Sequence, residues 1–466
     1  MVFSSLVFIS IFLPAVLLLY WLLPSHTGRN ILLLAVSLLF YAYGEPVYVF
    51  LMIASSFFNY LCALWMHRTK KYDRMILTAA VVVNLGVLCV FKYAAFLTEL
   101  WSHFTGMELA VPNVALPVGI SFFTFQAMSY VIDVYRGEVQ PQKNFMFVLL
   151  YISLFPQLIA GPIVKYHDVE KELASRSFHA EEAAKGIRRW IAGLGKKILI
   201  ANYMGEIADT LFAAPAAQIS LAGAWLGAVS YMLQIYFDFS GYSDMAIGMG
   251  HMFGFHFKEN FRYPYGADSI RDFWRRWHIS LSGWFREYLY IPLGGSRRGR
   301  VRTCINKLIV FACTGMWHGA NVTFLFWGLF HGCFLMLEEV VPFFHKEKTG
   351  WKKILAHGYV LLVVMTGFVF FRAEDMGQGM FWIRQMFTGL KADQAQDSMR
   401  LVRSLLTPVH LAAFAAGIAG SMPVMETIGQ KKQMQKILWP ASLILLAVCM
   451  MNLAGGTYNP FIYFRF

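Results

Sequence analysis

Long runs of apolar residues, separated by short polar stretches, recur along the whole chain. A helix that crosses the hydrocarbon core of a bilayer needs about 20 such residues. Candidate crossings begin near Val2, Asn30, Pro46, Met75, Leu116, Phe145, Trp190, Leu221, Cys304, Val322, Ile354, Pro408 and Leu438. Several of these runs are short or interrupted by glycine and proline, which is typical of broken helices. The pattern predicts an all-α, polytopic bundle of about 11–13 membrane helices, with re-entrant and interfacial helices between them.

Two basic stretches orient the predicted helices. Residues 67–74 form a short loop rich in lysine and arginine, and cytoplasmic loops carry an excess of these residues. Residues 165–197 carry both signs of charge in a helical pattern, which is typical of a helix on a membrane surface. We therefore expect both stretches on the cytoplasmic side of the cell (inner) membrane.

Composition supports the membrane assignment. Of the 466 residues, 58% are hydrophobic and only 14% are charged, whereas about a quarter of a soluble domain is charged. The net charge of +13 would suit nucleic acid. In so apolar a chain it indicates instead cytoplasmic loops and contacts with anionic lipid headgroups. We expect membrane lipids as partners, and no nucleic acid.

Motifs for metals and nucleotide cofactors are missing from the sequence. The six cysteines are scattered, mostly inside apolar runs, without the spacing of a zinc site. No P-loop, dinucleotide fingerprint, serine elbow or HExxH motif occurs. The sequence therefore predicts no metal site and no permanently bound cofactor.

The stretch 314–332, TGMWHGANVTFLFWGLFHG, places two histidines among aromatic residues. An imidazole at membrane depth needs a hydrogen-bond partner or a wet cavity, because hydrocarbon offers neither. Gly315 and Gly319 flank His318, and such glycines predict a close backbone approach or a local kink. His318 is a candidate general base, since imidazole titrates near neutral pH. The alternative is a packed histidine that is hydrogen-bonded to a neighbouring carbonyl group.

Two further histidines accompany His318. His278, forty positions earlier, would polarise a carbonyl group, position the base or bind a phosphate oxygen, unless it is simply an interfacial side chain. His331 lies thirteen residues after His318, and in one unbroken helix that offset turns it about 140° away. A structural hydrogen bond is therefore the default interpretation of His331.

Residues 258–307 carry eleven lysines and arginines and few residues that would span a bilayer. Within them, 271–289 predicts one amphipathic helix, with Arg271, Arg275, His278 and Ser282 on one face and an aromatic stripe on the other. The following Gly-rich turn exposes Arg297 and Arg298.

Two acids interrupt the apolar run around 236–250, YFDFSGYSDMAIGMG. A carboxylate at the bilayer centre costs about 2.5–3.5 kcal/mol on insertion scales, so Asp238 and Asp244 should face the protein interior. They would line a tunnel or pair with the arginines described above. An ion pair that stabilises the fold is as good an interpretation of these two acids as a role in catalysis.

These stretches resemble the membrane-bound O-acyltransferase family, and within it the bacterial alginate O-acetyltransferase branch. The motifs that carry the resemblance are SYVIDVYRGE, LFPQLIAGPIVKY, IYFDFSGYSDMAIGMGHMFGF, ENFRYPYGADSIRDFWRRWHISLSGWFREYLYIPLGGSRRG and TGMWHGANVTFLFWGLFHG. They cover about residues 129–332. The resemblance implies one integral membrane domain over 1–466, with N-terminal helices in 1–128, a catalytic core in 129–340 and C-terminal helices in 341–466.

The resemblance also implies an activity. His318, in the WHG motif, would be the essential family histidine, and His278, in RWHISLS, the second active-site position. The helices would surround a central funnel or tunnel, and the residues expected to line it are Asp238, Asp244, Trp317, Asn321 and His331. Acetyl-CoA is the expected donor, and an extracytoplasmic SGNH-type partner would place acetyl groups on an exported polysaccharide such as alginate.

The donor would need cationic contacts for its phosphates at the cytoplasmic face. The candidates are Arg271, Arg275, Arg276, Arg297 and Arg298, since guanidinium groups bind phosphate oxygens well. The alternative for each arginine is that it only marks the cytoplasmic side of the membrane.

Two other functions fit the sequence. Within the family, the chain would transfer D-alanyl groups from a carrier protein to teichoic acid, because the same arginines suit a phosphopantetheine carrier. From another class, it would be a proton-coupled transporter that uses Asp238, Asp244 and His318 as a relay, although no inverted repeat is evident.

Overall fold

The computed structural model describes residues 2–107, 109–112, 114–345, 348–389, 395–423, 432–456 and 458–462. It is 78% helical, and the described residues contain no β-strand. The predicted all-α class is therefore confirmed. The chain divides into two units, Met1–Trp190 with Ser243–Glu259, and Ile191–Tyr242 with Asn260–Phe466.

The first unit begins with a π-helical turn, Phe8–Phe12, and contains eight complete α-helices and most of a ninth. They are α1 (Leu13–Leu22), α2 (His26–Gly44), α3 (Tyr48–Arg68), α4 (Asp73–Thr105), α5 (Ile120–Arg136), α6 (Phe145–Ser153), α7 (Phe155–Leu158), α8 (Tyr166–Ala174) and α9 (Ala180–Gly195). Between α7 and α8 the chain is not helical, yet residues 159–165 are all buried. Protein therefore covers this irregular backbone, as the apolar surroundings require.

The second unit holds the other helices and the candidate site. They are α10 (Asn202–Ala213), α11 (Leu221–Phe253, whose end belongs to the first unit), α12 (Ile270–Arg276), α13 (Ile279–Phe285), α14 (Arg300–His318), α15 (Val322–Val340), α16 (Trp351–Arg372), α17 (Met376–Thr388), α18 (Ala395–Leu405), α19 (Pro408–Gly420) and α20 (Lys432–Ala454). Two π-helical turns, Lys196–Ala201 and Arg286–Tyr290, extend α9 and α13.

Five helices in the described residues are long and apolar enough to cross a membrane. They are Tyr48–Arg68, Lys70–Thr105, Val322–Val340, Trp351–Arg372 and Ile437–Ala454. The pair α18 and α19, bent by 75°, would be a sixth if it is one broken span. The predicted number of about 11–13 is reached only if shorter or broken helices also cross, such as the apolar helix Phe8–Leu22.

The single amphipathic helix predicted over 271–289 is wrong. The chain forms α12, leaves the helix at Trp277, passes through a left-handed residue at His278 and enters α13. No glycine or proline marks this break. Tertiary contacts cause it, because Arg262 donates to the carbonyl group of Arg276 and Ile279 donates to that of Asn260. The aromatic stripe, which the sequence predicts at the membrane interface or at a funnel inside the protein, is buried in the protein.

Close backbone contact joins α14 to α15. A Cβ atom on Gly315 would lie 2.3 Å from the carbonyl oxygen of Phe324, and one on Gly328 would lie 2.1 Å from that of Phe311. Both distances are far below van der Waals contact, so only glycine lets the helices approach so closely. The close approach predicted at Gly315 is therefore confirmed, and this contact fixes where α14 ends at His318.

We predict that Gly328→Ala destabilises the protein. The added methyl group meets a backbone oxygen that has no alternative rotamer, and overpacking of this kind costs about 1–3 kcal/mol or more. The measurement is the thermal midpoint of unfolding in detergent. Gly358→Ala in α16 is the control, because nothing lies within 4 Å of its added Cβ. A Gly328→Ala protein that melts no lower than the control would contradict the packing described.

Candidate active site

His318 is the last residue of α14, and its ring borders a small cavity. The residue is 7% exposed. Aromatic and aliphatic side chains from α11, α15, α16 and the end of the chain complete the lining, among them Phe239, Trp327, Phe371 and Ile462. The cavity volume of about 20 Å³ admits about one water molecule. Larger reactants would therefore require this cavity to widen.

Among the described residues, three aromatic rings pack perpendicular to the His318 imidazole. Their centroids lie 5.0 Å (Trp317), 5.1 Å (Trp327) and 5.1 Å (Phe371) from that of His318, all near perpendicular. Edge-to-face contacts of this kind are favourable and directional. The ring is thus oriented mainly by packing.

His278 lies beside His318, with 6.5 Å between the ring centroids. Its Nδ1 is 3.2 Å from Oδ1 of Asn260, which also accepts from the backbone amide of Ser280. The amide of Ser280 can only donate, so the Asn260 atom is the oxygen and His278 Nδ1 carries the proton. Nε2 then has a lone pair, and it has no hydrogen-bond partner among the described residues.

Burial keeps His278 neutral. The side chain is 0% exposed, and loss of hydration lowers its pKa to about 3. Its backbone φ of 44° is unusual for a residue other than glycine. Such strained positions cluster at functional sites, where the surrounding structure enforces them.

Asp238 does not border the cavity but anchors a segment that does. Its carboxylate lies 2.8 Å from Nζ of Lys197 and accepts from the backbone amide of Ile462 at 2.8 Å. Lys197 also donates to the carbonyl group of Pro460. Both charged side chains are almost fully buried. The pair therefore fixes the chain end that lines the His318 cavity.

The other predicted tunnel residues have different surroundings. Asp244 pairs with Arg189 at 2.9 Å in the first unit, so neither acid pairs with the arginines of 271–298. Asn321 caps α15, accepting from the amide of Thr323, and donates to the carbonyl group of Glu374. Neither Trp317 nor Asn321 is among the side chains that border the His318 cavity.

His331 lies on a different helix from His318, because residues 319–321 interrupt the helical stretch. The 140° offset expected for one continuous helix therefore does not apply. The ring is 0% exposed and lies against Trp274 and Trp327. The structural hydrogen bond expected for His331 is not present among the described residues.

A second, larger pocket of about 210 Å³ lies beside α12, α13 and α14. Four cationic side chains line it: Arg271, Arg275, Arg286 and Lys307. Two of the five predicted phosphate-binding arginines are thus brought together. Arg276 instead pairs with Asp272 at 2.8 Å, and Arg297 and Arg298 lie exposed in the following turn.

The pocket carries excess positive charge. Arg271, at 2.9 Å, and Lys307 share the carboxylate of Glu339. Arg275 and Arg286 have no ion pair with any described residue and are exposed. The residues that line the pocket thus include four cations and no acid, which suits a ligand with several negative charges. Sequence reasoning missed Arg286 and Lys307, because only the break after α12 and the return of α14 bring them to this pocket.

Chemically, the arrangement offers two sites. The cavity at His318 supplies one imidazole group in apolar surroundings, with a second imidazole, that of His278, beside it, and apolar surroundings strengthen proton transfer and charge stabilisation. The cationic pocket supplies contacts for phosphate oxygens. Together they suit a reaction between a phosphate-bearing substrate and a group that must lose a proton.

Comparison with known proteins places the chain in a family. A family model described as membrane-bound O-acyltransferase matches residues 62–374. This region contains the described helices from the end of α3 to just beyond α16, and with them His278, His318 and the cationic pocket.

Curated relatives extend the likeness to the full length. A protein of Azotobacter vinelandii named "Probable alginate O-acetylase AlgI" is 38% identical, with 100% of both chains covered. A peptidoglycan O-acetyltransferase of Helicobacter pylori is 33% identical over 100% of this chain and 98% of its own. A teichoic acid D-alanyltransferase of Bacillus subtilis is 26% identical over 64% of this chain and 77% of its own.

We predict that Lys197→Met alone destabilises the protein, because it leaves the Asp238 carboxylate buried without its cation. Breaking a buried pair in this way costs about 3–5 kcal/mol, whereas replacing both partners with apolar residues is often neutral. Lys197→Met combined with Asp238→Leu should therefore recover much of the lost thermal midpoint.

Lys185→Met is the control, since Lys185 forms only exposed ion pairs, with Glu181 and Glu182. It should leave the midpoint nearly unchanged. If Lys197→Met melted at the wild-type temperature, the anchoring of the chain end by this pair would be disproved.

Proposed function

Because the chain belongs to the membrane-bound O-acyltransferase family and is therefore an acyltransferase, we propose that it takes an acetyl group from acetyl-CoA and transfers it to a hydroxyl group, with His318 as the general base. The observation that carries this proposal is the position of His318. Its imidazole borders a cavity in an apolar, aromatic environment and lies next to a second, neutral histidine.

In the proposed reaction, one proton moves from the acceptor hydroxyl group to His318 and then to the departing thiolate. An acceptor hydroxyl group in the widened cavity gives its proton to the His318 ring, and its oxygen attacks the thioester carbonyl carbon. The C–S bond of the resulting tetrahedral intermediate breaks, leaving an oxygen ester. The departing thiolate accepts this proton from His318, so the neutral histidine is regenerated. Nε2 of His278 would accept a hydrogen bond from the acceptor or from the protonated His318.

The donor would be held by the cationic pocket. Its volume and its four cations fit the phosphate groups of CoA. Arg275 and Arg286 are the two cations without an ion pair among the described residues. Trp274, Phe285 and Phe311 offer apolar surface to the rest of the donor. Among the described residues, no such cationic group lines the His318 cavity, so the two ends of a CoA thioester would occupy different surroundings.

We further propose that the final acceptor is an exported polysaccharide such as alginate, and that the protein lies in the inner membrane. Two relatives that match the full length are named as a probable alginate O-acetylase and a peptidoglycan O-acetyltransferase, and alginate and peptidoglycan are polymers found outside the cytoplasm. A donor in the cytoplasm and an acceptor outside it require transfer across the membrane. An extracytoplasmic SGNH-type acetyltransferase would complete delivery to the polymer.

D-alanyl transfer from a carrier protein to teichoic acid is the second candidate. The likeness to a teichoic acid D-alanyltransferase favours it, and the same cationic pocket would accept a phosphopantetheine phosphate. That likeness is weaker and covers less of the chain than the likeness to the O-acetylating relatives. If the purified protein cleaves the thioester of acetyl-CoA but not that of a D-alanyl carrier protein, acetyl transfer is supported over D-alanyl transfer.

We predict that His318→Ala abolishes ester-linked acetate on the secreted polymer. Loss of a general base costs about 10²–10⁴-fold in rate. His278→Ala should impair transfer less completely, because His278 supports the base rather than taking the proton. The measurement is acetate released by mild alkali from polymer secreted by a deletion strain that carries each variant.

His179→Ala is the control, since His179 is exposed and hydrogen-bonds only Ser177 among the described residues. It should give wild-type acetate. Undiminished acetate from His318→Ala at a normal protein level would end the assignment of His318 as the base.

We predict that the Arg275→Gln, Arg286→Gln double variant raises KM for acetyl-CoA at least tenfold with little change in kcat. These side chains would bind phosphate equally in the ground and transition states, and such binding affects KM alone. The matched control is Arg297→Gln with Arg298→Gln, which removes the same charge outside the pocket. Equal effects of the two double variants would show that only overall charge matters.

A further inference from the structure

Three large side chains form a continuous layer between α12 and α15. The ring centroid of His331 lies 5.3 Å from that of Trp274 and 5.2 Å from that of Trp327, and the two tryptophans are 5.6 Å apart. Each ring therefore contacts the other two. The layer is fully inside the protein, with exposures of 0% (His331), 1% (Trp327) and 8% (Trp274).

This layer borders both pockets of the candidate site. Trp274 lines the cationic pocket, and Trp327 lines the His318 cavity. Trp327 also contacts the His318 ring, at 5.1 Å between centroids. A thioester held by its phosphates in the first pocket would have to pass this layer to bring its acyl carbon to His318.

The layer contains four polar atoms that no described residue satisfies. They are Nε1 of Trp274, Nε1 of Trp327, and both Nδ1 and Nε2 of His331. Buried polar groups are nearly always hydrogen-bonded, because leaving one unpaired forfeits its hydration. Four such atoms lie on three touching side chains that border two pockets, and a ligand on a path between these pockets would supply their partners.

We propose that His331 is a donor-binding residue, which hydrogen-bonds an amide group in the arm of the thioester donor after Trp274 turns aside. This inference rests on the function proposed above. The layer is then the closed state of the connection between the pockets, and the passage of the arm supplies the partners that the four nitrogen atoms lack.

The chemistry of the imidazole selects an amide. A neutral histidine offers one N–H donor and one lone pair, on opposite sides of the ring. A secondary amide offers the complementary carbonyl acceptor and N–H donor. The arm of CoA carries two secondary amides between the phosphates and the sulfur atom. A hydrocarbon arm would leave both ring nitrogen atoms unpaired, and a simple ester arm, which has acceptors but no donor, would leave the lone-pair nitrogen unpaired.

The Nε2 edge of His331 is kept open by a glycine on α16. A Cβ atom on Gly367 would lie 2.8 Å from Nε2. An alanine at this position would therefore press on this nitrogen atom and displace the ring, although the histidine itself is retained. Gly367→Ala is an independent way to disturb the same hydrogen bond.

The test compares two thioesters in a cleavage assay with purified protein: acetyl-CoA, which has the amide arm, and S-acetyl-mercaptoethanol, which has no amide. We expect His331→Phe and Gly367→Ala to lower kcat/KM for acetyl-CoA about tenfold or more, equivalent to about 1.4 kcal/mol. Both should leave kcat/KM for S-acetyl-mercaptoethanol within about twofold of wild type. His331→Gln, which retains a donor and an acceptor, should recover part of the loss.

The same variants separate binding from stability. Because no described residue pairs with the ring, His331→Phe should melt at or above the wild-type temperature. An equal loss with both thioesters, or a lower melting temperature of His331→Phe, would reveal a structural role of the ring and overturn the proposal, as would no loss with either thioester. If wild-type protein cleaves neither thioester, the proposed function itself fails and this inference falls with it.

Discussion

Contact between α14 and α15 at two glycines is the constraint on which the candidate site depends. Because Gly315 and Gly328 have no side chains, the two helices touch through their backbones, and the turn between them is short. Asn321 fixes that turn from both sides, since it caps α15 and holds the carbonyl group of Glu374. His318 is thereby placed at the inner end of a rigid hairpin, with its ring among aromatic side chains.

The second histidine reaches the same place by a different route. A regular helix through 271–289 would have carried His278 on the arginine face. Asn260 and its neighbours instead take over backbone hydrogen bonds at the break between α12 and α13. His278 therefore turns inward beside His318, while Arg271, Arg275 and Ser282 remain at the cationic pocket. The left-handed backbone of His278 thus places its imidazole beside His318, while the arginines stay at the pocket proposed to bind phosphate.

How much the sequence predicts differs between features. The apolar runs predict helices well, because burial in lipid or protein needs nothing beyond hydrophobicity, and the glycine at 315 predicted close approach. The break at His278 carries no local signal, since distant residues 260–262 cause it. The partners of Asp238 and Asp244 were missed for the same reason: Lys197 and Arg189 are far away in sequence. Both acids are held in ion pairs, an arrangement that does not favour the proton relay of a transporter.

The most direct test of the account is a cryo-EM structure with acetonyl-CoA, in which a ketone on an added methylene replaces the thioester carbonyl group. We expect its phosphates against Arg275 and Arg286, its arm through the layer of Trp274, Trp327 and His331, and its ketone oxygen or carbon in contact with the His318 ring. An analogue bound elsewhere, or one whose ketone is directed away from His318 while the protein is active, would contradict the central claim.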